Sequence, residues 1–288
     1  MTGDVTPRVS VVVPSFNNAS FIQATMDSIL AQTFADFELV VADHSSSDGT
    51  WALLQPYAGD PRVRLLQTEA GGGAPRNWER VTAEARGELV KLVCGDDIIY
   101  PGCLRDQVAA MDAHPSVVLV AAQRDLIDAR GGIVTTRRGL AGLVGRVPGR
   151  VAVRHTVVAG SNIFGEPACV LIRREALIRA GGWDVRHPFV IDEATYVKVL
   201  LTGDLFGINK ALAAFRLSSS QWSVHLARAQ SDQVIGFHHQ LADEAPGLLS
   251  RVDLRRGDAM ARAMAYVRRL AYVWVGRRMH ASTPATRP

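Results

Sequence analysis

Val9–Thr50 reads VSVVVPSFNNASFIQATMDSILAQTFADFELVVADHSSSDGT. Two runs rich in β-branched residues, Arg8–Pro14 and Phe37–Asp43, flank a segment, Ser20–Gln32, whose apolar positions recur at helical spacing. The unit is therefore strand, helix, strand. Near-continuous apolar strands imply a parallel sheet covered on both faces, because a solvated face would impose alternation. Ser20 and Asp48 stand where N-caps are expected, since their side-chain oxygens can accept from the free amides of a first helical turn.

The rhythm continues outward from this stretch. Arg62–Gln67 and Glu88–Val93 read as a third and fourth strand, with helical segments over Asp48–Tyr57 and Gly73–Arg86. The fold class is α/β, with a mostly parallel, Rossmann-like sheet. Beyond Pro101 come a helix, Gly102–His114, and a strand, Ser116–Gln123. The Gly- and Arg-rich stretch Ala129–Arg150 is expected to form a hairpin followed by a mobile loop. Ala168–Asp184, ACVLIRREALIRAGGWD, reads as strand, short helix and Gly stop. Ile191–Leu201 reads as a helix, followed by two short strands up to Leu217 and only helix from Val224. The expected division is a catalytic domain over 1–217 and a helical C-terminal extension over 218–288.

Composition narrows the function. With 288 residues, 48% of them hydrophobic, the chain can bury a large core, and 21% charged residues argue against disorder. A net charge of +4 suits an anionic small substrate. Nucleic acid is not expected as a partner, because the basic residues are scattered rather than interleaved with aromatics. Cys94, Cys103 and Cys169 cannot all pair and form no CxxC clip, so reduced thiols are expected. The opening MTGDVTPRVS shows no leader pattern, and no apolar stretch reaches the ~18 residues of a membrane span. A cytoplasmic location is expected, with the inner membrane face as an extension of it.

Ligands of such sheets bind beyond the carboxyl ends of the strands, and the polar loops gather there: PSFNN, DHSSSDGT and CGDDIIYPG. Asp43, at a strand tip, can accept from a ribose hydroxyl or a base edge. Turn formation is the alternative role. Asp96 and Asp97 repel one another unless a cation or donors intervene, and a hard divalent ion on carboxylate and diphosphate oxygens would relieve them. An exposed acidic turn before Pro101 is the other reading.

Taken together, these motifs resemble the inverting GT-A glycosyltransferases of the family-2 type. Those open with an apolar strand, Pro-x-Tyr-Asn, a helix ending Gln-Thr, then Glu-x-x-x-x-Asp-Asp-x-Ser-x-Asp-x-Thr. The resemblance runs through Arg76-Asn77, Gly87-Glu88 and Asp96-Asp97 to IRREALIRAGGWD, roughly residues 8 to 217. It implies transfer of a sugar from a nucleoside diphosphate donor to an acceptor hydroxyl of a glycan, lipid-linked or small molecule. Pro14, Ser15, Asn17 and Asp43 would then serve the donor, Arg76 the diphosphate, Asp96 the ribose or metal shell, and Asp97 an Mn²⁺ or Mg²⁺ ion. Two positions depart from the pattern. His44 replaces a second Asp that often reads the base, and its imidazole could still donate to or accept from the donor there, while Cys94 replaces an Asp of the metal motif. The resemblance places the general base in VIDEATYVKVL at Asp192, with Glu193 the alternative; helix-dipole pairing is the other role open to both. Asn162 and Glu166 would fall on the acceptor side, and His225 could close over metal or diphosphate.

A nucleotidyltransferase would carry a Gly-rich phosphate loop after the first strand, which PSFNN is not. A non-catalytic nucleotide-sugar binder is the second rival. Near the C-terminus, AMARAMAYVRRLAYVWVGRRMH patterns as a basic amphipathic helix, suited to packing, to a second subunit in a homo-oligomer, or to a peripheral membrane contact.

Overall fold

The computed structural model describes residues 6–217 and 229–281. Strands β1 (Val9–Ser15) and β2 (Phe37–Asp43) are buried along almost their whole length, as cover on both faces requires. Between them α1 (Ile22–Leu30) turns Ile22, Met26 and Ile29 inward, one face of a 3.6-residue period. Next come α2 (Thr50–Leu54) with a 3₁₀ turn, β3 (Val63–Gln67), α3 (Gly73–Ala83) and β4 (Leu89–Leu92). The strands lie in the order β3-β2-β1-β4, all parallel. The chain winds outward from β1 and then jumps back to its other side, so a crevice opens between the carboxyl ends of β1 and β4.

The second half comprises β5 (Ile98–Ile99), α4 (Cys103–Ala113), β6 (Val117–Ile127), β7 (Ile133–Arg138), β8 (Gly145–Val147), α5 (Gly149–Ala159), β9 (Val170–Arg173), α6 (Arg174–Arg179), α7 (Ile191–Leu200) and β10 (Asp204–Arg216). It continues the same sheet as β4-β9-β6-β10-β5, with β7 on β6 and β8 on β10. β9 is antiparallel to both neighbours, while β6 and β10 pair in parallel over the longest ladder. Parallel ladders hold most of the paired positions, in keeping with the mostly parallel sheet expected.

Four local expectations are corrected. Ser20 caps nothing: the carbonyl of Asn18 takes the first amides of α1, from Phe21 and Ile22. Asp48 lies one residue before the α2 N-cap, Gly49, but its carboxylate still accepts from the Thr50 amide at 3.0 Å. The two short strands expected before Leu217 are one 13-residue strand, β10, whose register shifts around Ile208–Ala213 carry Asn209-Lys210 as a bulge. The stretch expected to end in a loop runs through the β7 hairpin and β8 straight into α5. Its Val-rich sequence is weakly helical by propensity, and burial of Ala152, Val153, Thr156 and Val157 decides its form.

Of the C-terminal helices α8 (Gln230–Glu244) and α9 (Arg251–Ala281), α9 lies against α5 and α8 against α9, and they share the core through Val234, Phe237, Leu241 and Ala261. α9 presents Asp253, Gly257, Ala261 and Ala265 inward. These small residues let its backbone approach α5, where a Cβ on Gly160 would collide with the backbone at Met260–Ala261. Among the described residues no helix is long and apolar enough to cross a membrane.

Candidate active site

On one side of the crevice, the loops after β1 and β2 are tied together. The Asn17 amide donates to Ser46 Oγ at 2.8 Å and the Ser47 amide to Asn17 Oδ1 at 2.9 Å, with Asn17 in the left-handed region at φ 52°. Asp43 is fully buried, and its carboxylate accepts from the Ser46 hydroxyl (2.6 Å) and amide (3.1 Å). Its side chain closes the turn. Pro14 and Ser15 end β1, with the Ser15 carbonyl accepting from the His44 amide and from Asn77 Nδ2. His44 is 4% exposed and both its ring nitrogens are occupied, Nδ1 with Thr68 Oγ1 and Nε2 with the Gly71 carbonyl, each at 2.9 Å. A carbonyl only accepts, so Nε2 donates to Gly71, while Nδ1 shares a hydrogen bond with the Thr68 hydroxyl. His44 therefore pins the Gly71–Gly73 loop rather than presenting a ring nitrogen to a base. All three glycines have positive φ, and a Cβ on Gly72 would strike the Arg76 side chain. Arg76, one turn into α3, lies 3.9 Å from exposed Glu69. Phe16, 54% exposed, stands edge-on to the His44 ring.

At the end of β4 the chain turns through Cys94-Gly95-Asp96-Asp97 into β5. The pairing of β5 with Ala213 and Ala214 carries Asp97 to the end of β10. There the Arg216 amide donates to Asp97 Oδ1 (3.2 Å), and Arg216 Nε donates to the Asp96 carbonyl (2.9 Å). Asp97 has no exposed surface, and its Oδ2 has no hydrogen-bond partner among the described residues. Burial first, then the neighbouring Asp96, pushes its carboxyl well above the ordinary range. A buried carboxylate oxygen without a donor calls for a proton or a cation. Cys94, Asp96 and Asp97 bring ligand atoms within 4.8 Å of one another. Burial and the surrounding acids raise the Cys94 thiol, so it remains protonated, and a hard ion prefers the oxygens in any case.

The opposite wall is built from α7 and the loop before β9. Asp192, in the first turn of α7, is half-buried; Asn162 Nδ2 donates to its Oδ2 at 2.9 Å and the Glu193 amide to its Oδ1 at 2.8 Å. Burial raises its carboxyl to about 6, with the Glu166 charge adding to the shift. Glu166 is itself held by Arg124 of β6, whose Nη2 donates at 2.9 Å. Asn162 also closes its own loop, its Oδ1 accepting from the Phe164 and Gly165 amides. After burial, the charges of Asp97, Asp96, Asp192 and Glu166 all act on the Cys94 thiol and raise it further. Glu193 points elsewhere. It is 1% exposed and accepts from Thr156 Oγ1 of α5 at 2.7 Å. His225 lies outside the described residues.

The sequence model of glycosyl transferase family 2 matches residues 10–180, more than half of the chain. The chain belongs to this family. An uncharacterized protein of Mycobacterium tuberculosis, MT1568, is 30% identical over 245 residues, covering 82% of this chain and 73% of its own. The poly(ribitol-phosphate) β-N-acetylglucosaminyltransferase TarS of Staphylococcus aureus is 34% identical over 39% of this chain, which spans only 20% of TarS. The crystal structure of TarS residues 1–349 with UDP-GlcNAc superimposes with a TM-score of 0.66 at 20% identity, covering 88% of this chain and 71% of that one. The mannosyltransferase PcManGT of Pyrobaculum calidifontis, solved with GDP-Man and Mn²⁺, gives a TM-score of 0.62 at 19% identity over 99% and 77% of the two chains. The fold is thus GT-A and the protein a glycosyltransferase, as the resemblance implied.

Several residues near these loops carry no assigned role among the sequence expectations. Arg124 follows the apolar run of β6, and a cation at a buried strand end was the available signal. Arg216 becomes a neighbour of Asp97 only through the β5–β10 pairing, a contact 119 residues apart in sequence. Asn77 is buried with Oδ1 unpartnered among the described residues, and Tyr196, on the same helix as Asp192, is buried with its hydroxyl likewise unpartnered.

Proposed function

We propose that this glycosyltransferase moves a sugar from a nucleoside diphosphate donor to an acceptor hydroxyl with inversion, Asp192 removing the acceptor proton. One observation carries the reading: a half-buried carboxyl raised to about 6 and fixed by two donors, across the crevice from Asp96–Asp97. A base poised near neutrality and held in one orientation suits proton abstraction during a single displacement. Asn162 orients it, and the Arg124–Glu166 pair offers polar edges to the acceptor sugar. Phe16, Asn17 and the Gly71–Gly73 loop bound the nucleoside side, with Arg76 beside the diphosphate.

Asp97, through its unpartnered Oδ2, and Asp96 would hold Mn²⁺ or Mg²⁺. When bound, the ion offsets the charge that develops on the leaving diphosphate. Cys94 fills space behind them as a neutral thiol.

The test is a thermal-shift screen of UDP, GDP, dTDP and CDP, each with and without Mn²⁺. A nucleotide at ~100 times its Kd adds about 2.7 kcal/mol of stability. Metal-dependent stabilisation by one nucleotide, lost in Asp97→Ala, is the expected result. Absence of stabilisation by all four, with and without metal, would overturn the donor assignment.

A further inference from the structure

We propose that the outward face of α9 is a docking surface for an anionic lipid bilayer. The sequence shows α9 as a mixture of arginines, apolar residues and two acids. The structure sorts them. Asp253 is buried, accepting from Arg154 Nε and Nη2 at 2.9 and 2.7 Å and from Ser250. Asp258 is turned to the two histidines of α8, accepting within 3.3 Å of His238 Nδ1 and 2.9 Å of His239 Nε2. Asp253 is therefore spent inward and Asp258, partly buried, is spent on the two histidines of α8, while every other charge on the described part of the helix is an arginine.

The outward residues divide by chemistry as well. Arg251, Arg255, Arg262 and Arg269 are exposed and recur at intervals of four, seven and seven, which places them along one edge of the helix. Beside that edge lie exposed Val252, Met260, Tyr266 and Val267, from 39% to 71% accessible. Inward stand Gly257, Ala261 and Ala265, packed on α5 and needed there. Lipid contact therefore requires no unfolding: the apolar strip is already outward, and the arginine row flanks it. The neighbouring helix α5 contains no acid at all, and its exposed Arg150, Val151 and His155 line a pocket of about 240 Å³ at the foot of α9.

The occupant is chosen by charge. A second copy of this chain would have to set the same arginine row against its own, and like charges oppose that pairing. An anionic bilayer supplies the complementary sign, a hydrocarbon edge for Tyr266 and Val267, and an interfacial region into which such a helix settles by its apolar strip.

The experiment is sedimentation of the full chain with vesicles of phosphatidylcholine alone or with about 30% phosphatidylglycerol, an anionic fraction sufficient for a strong surface field. Binding to the anionic vesicles only, reversed by high salt, is expected. The double variant Arg255→Glu/Arg262→Glu should cut the bound fraction about tenfold or more. Tyr266→Ser/Val267→Ser should cut it severalfold, and binding of this variant should be the more salt-sensitive. All four positions are exposed, so unchanged melting temperatures will show that the folds are intact. Equal binding to neutral vesicles, no binding to either, or charge-reversed protein binding like the wild type would each overturn the proposal. So would a dimer in light scattering that these variants dissociate while vesicle binding is absent.

Discussion

Asp192 and Glu193 are adjacent in sequence and opposite in role, and the separation is set by one helical residue's rotation of about 100°. Asp192 faces the crevice and its two donors. Glu193 faces α5 and Thr156. Replacing Asp192 by Asn keeps the volume and the amide contact but removes the proposed base, so kcat should fall by about 10²–10⁴ with little change in donor KM. In the wild type the acid limb of the kcat profile should lie near pH 6, because the carboxyl must be ionised to accept a proton. Steady-state kinetics across pH with a competent donor and acceptor checks both. Glu193 gives a stability prediction of its own. Burial, partly opposed by its Thr156 bond, lifts its carboxyl to about 8, above the ordinary 4.5. Between these values the folded state holds a proton that the unfolded state has lost, so stability falls as pH rises through the window. Glu193→Gln should therefore gain stability relative to wild type between pH 5 and 8, read as a melting-temperature difference that widens with pH. A difference that is flat or narrows would contradict the assignment.

At the scale of elements, close approach of helices carries the argument. α5 ends at Gly160, which is in the left-handed region at φ 61° and sits against the α9 backbone. Alanine there meets both a strained backbone and a collision, and forced displacement of packed elements costs typically about 1–3 kcal/mol. Gly160→Ala should lower the unfolding free energy in that range in urea, and α9 should become the first site of limited proteolysis. The first strands of the sheet were legible because each is a short apolar run closed by a polar turn: Phe37–Asp43 matches its expected bounds and Val9–Ser15 differs by one residue at each end. α5 was not legible. Its Val153, Val157 and Val158 favour extended structure locally, and only the partners α7 and α9 make a helix the better way to bury them. β10 was read as two strands because Asn209-Lys210 resembles a break, whereas a bulge absorbs them without ending the ladder.

At the scale of the whole molecule, the expected boundary at residue 217 becomes a question of energetics. The segment before α7 is gripped by α8: the Phe189 amide donates to Gln233 Oε1 at 2.6 Å, His187 bonds Gln240 at 3.0 Å, and Arg186 pairs with Glu244. Arg268 of α9 stacks over the Phe189 ring, 5.2 Å from its centroid. Removing residues 218–288 would expose the face of α5 on which α9 packs, and would free the segment that leads into Asp192. The truncated chain is expected to melt lower, bind a hydrophobic dye and lose turnover. Wild-type melting and turnover in the truncated protein would show instead that 1–217 is self-sufficient.

The sequence by itself determined the α/β class, the donor half of the sheet and the acid pair at the end of β4. These depend on local periodicity and on the rule that polar loops gather at the carboxyl ends of parallel strands, both of which operate over tens of residues. Only the tertiary structure decided that Asp43 and His44 spend their polar atoms on holding loops, that Arg216 stands beside Asp97, and that Asp192 rather than Glu193 faces the crevice. It also decided that both acids of α9 find partners, Asp253 in the core with Arg154 and Asp258 with the histidines of α8. Each of these is a matter of which partner a polar group reaches. Such partners come from strands and helices up to 119 residues away, brought near by pairing and packing that no local pattern encodes.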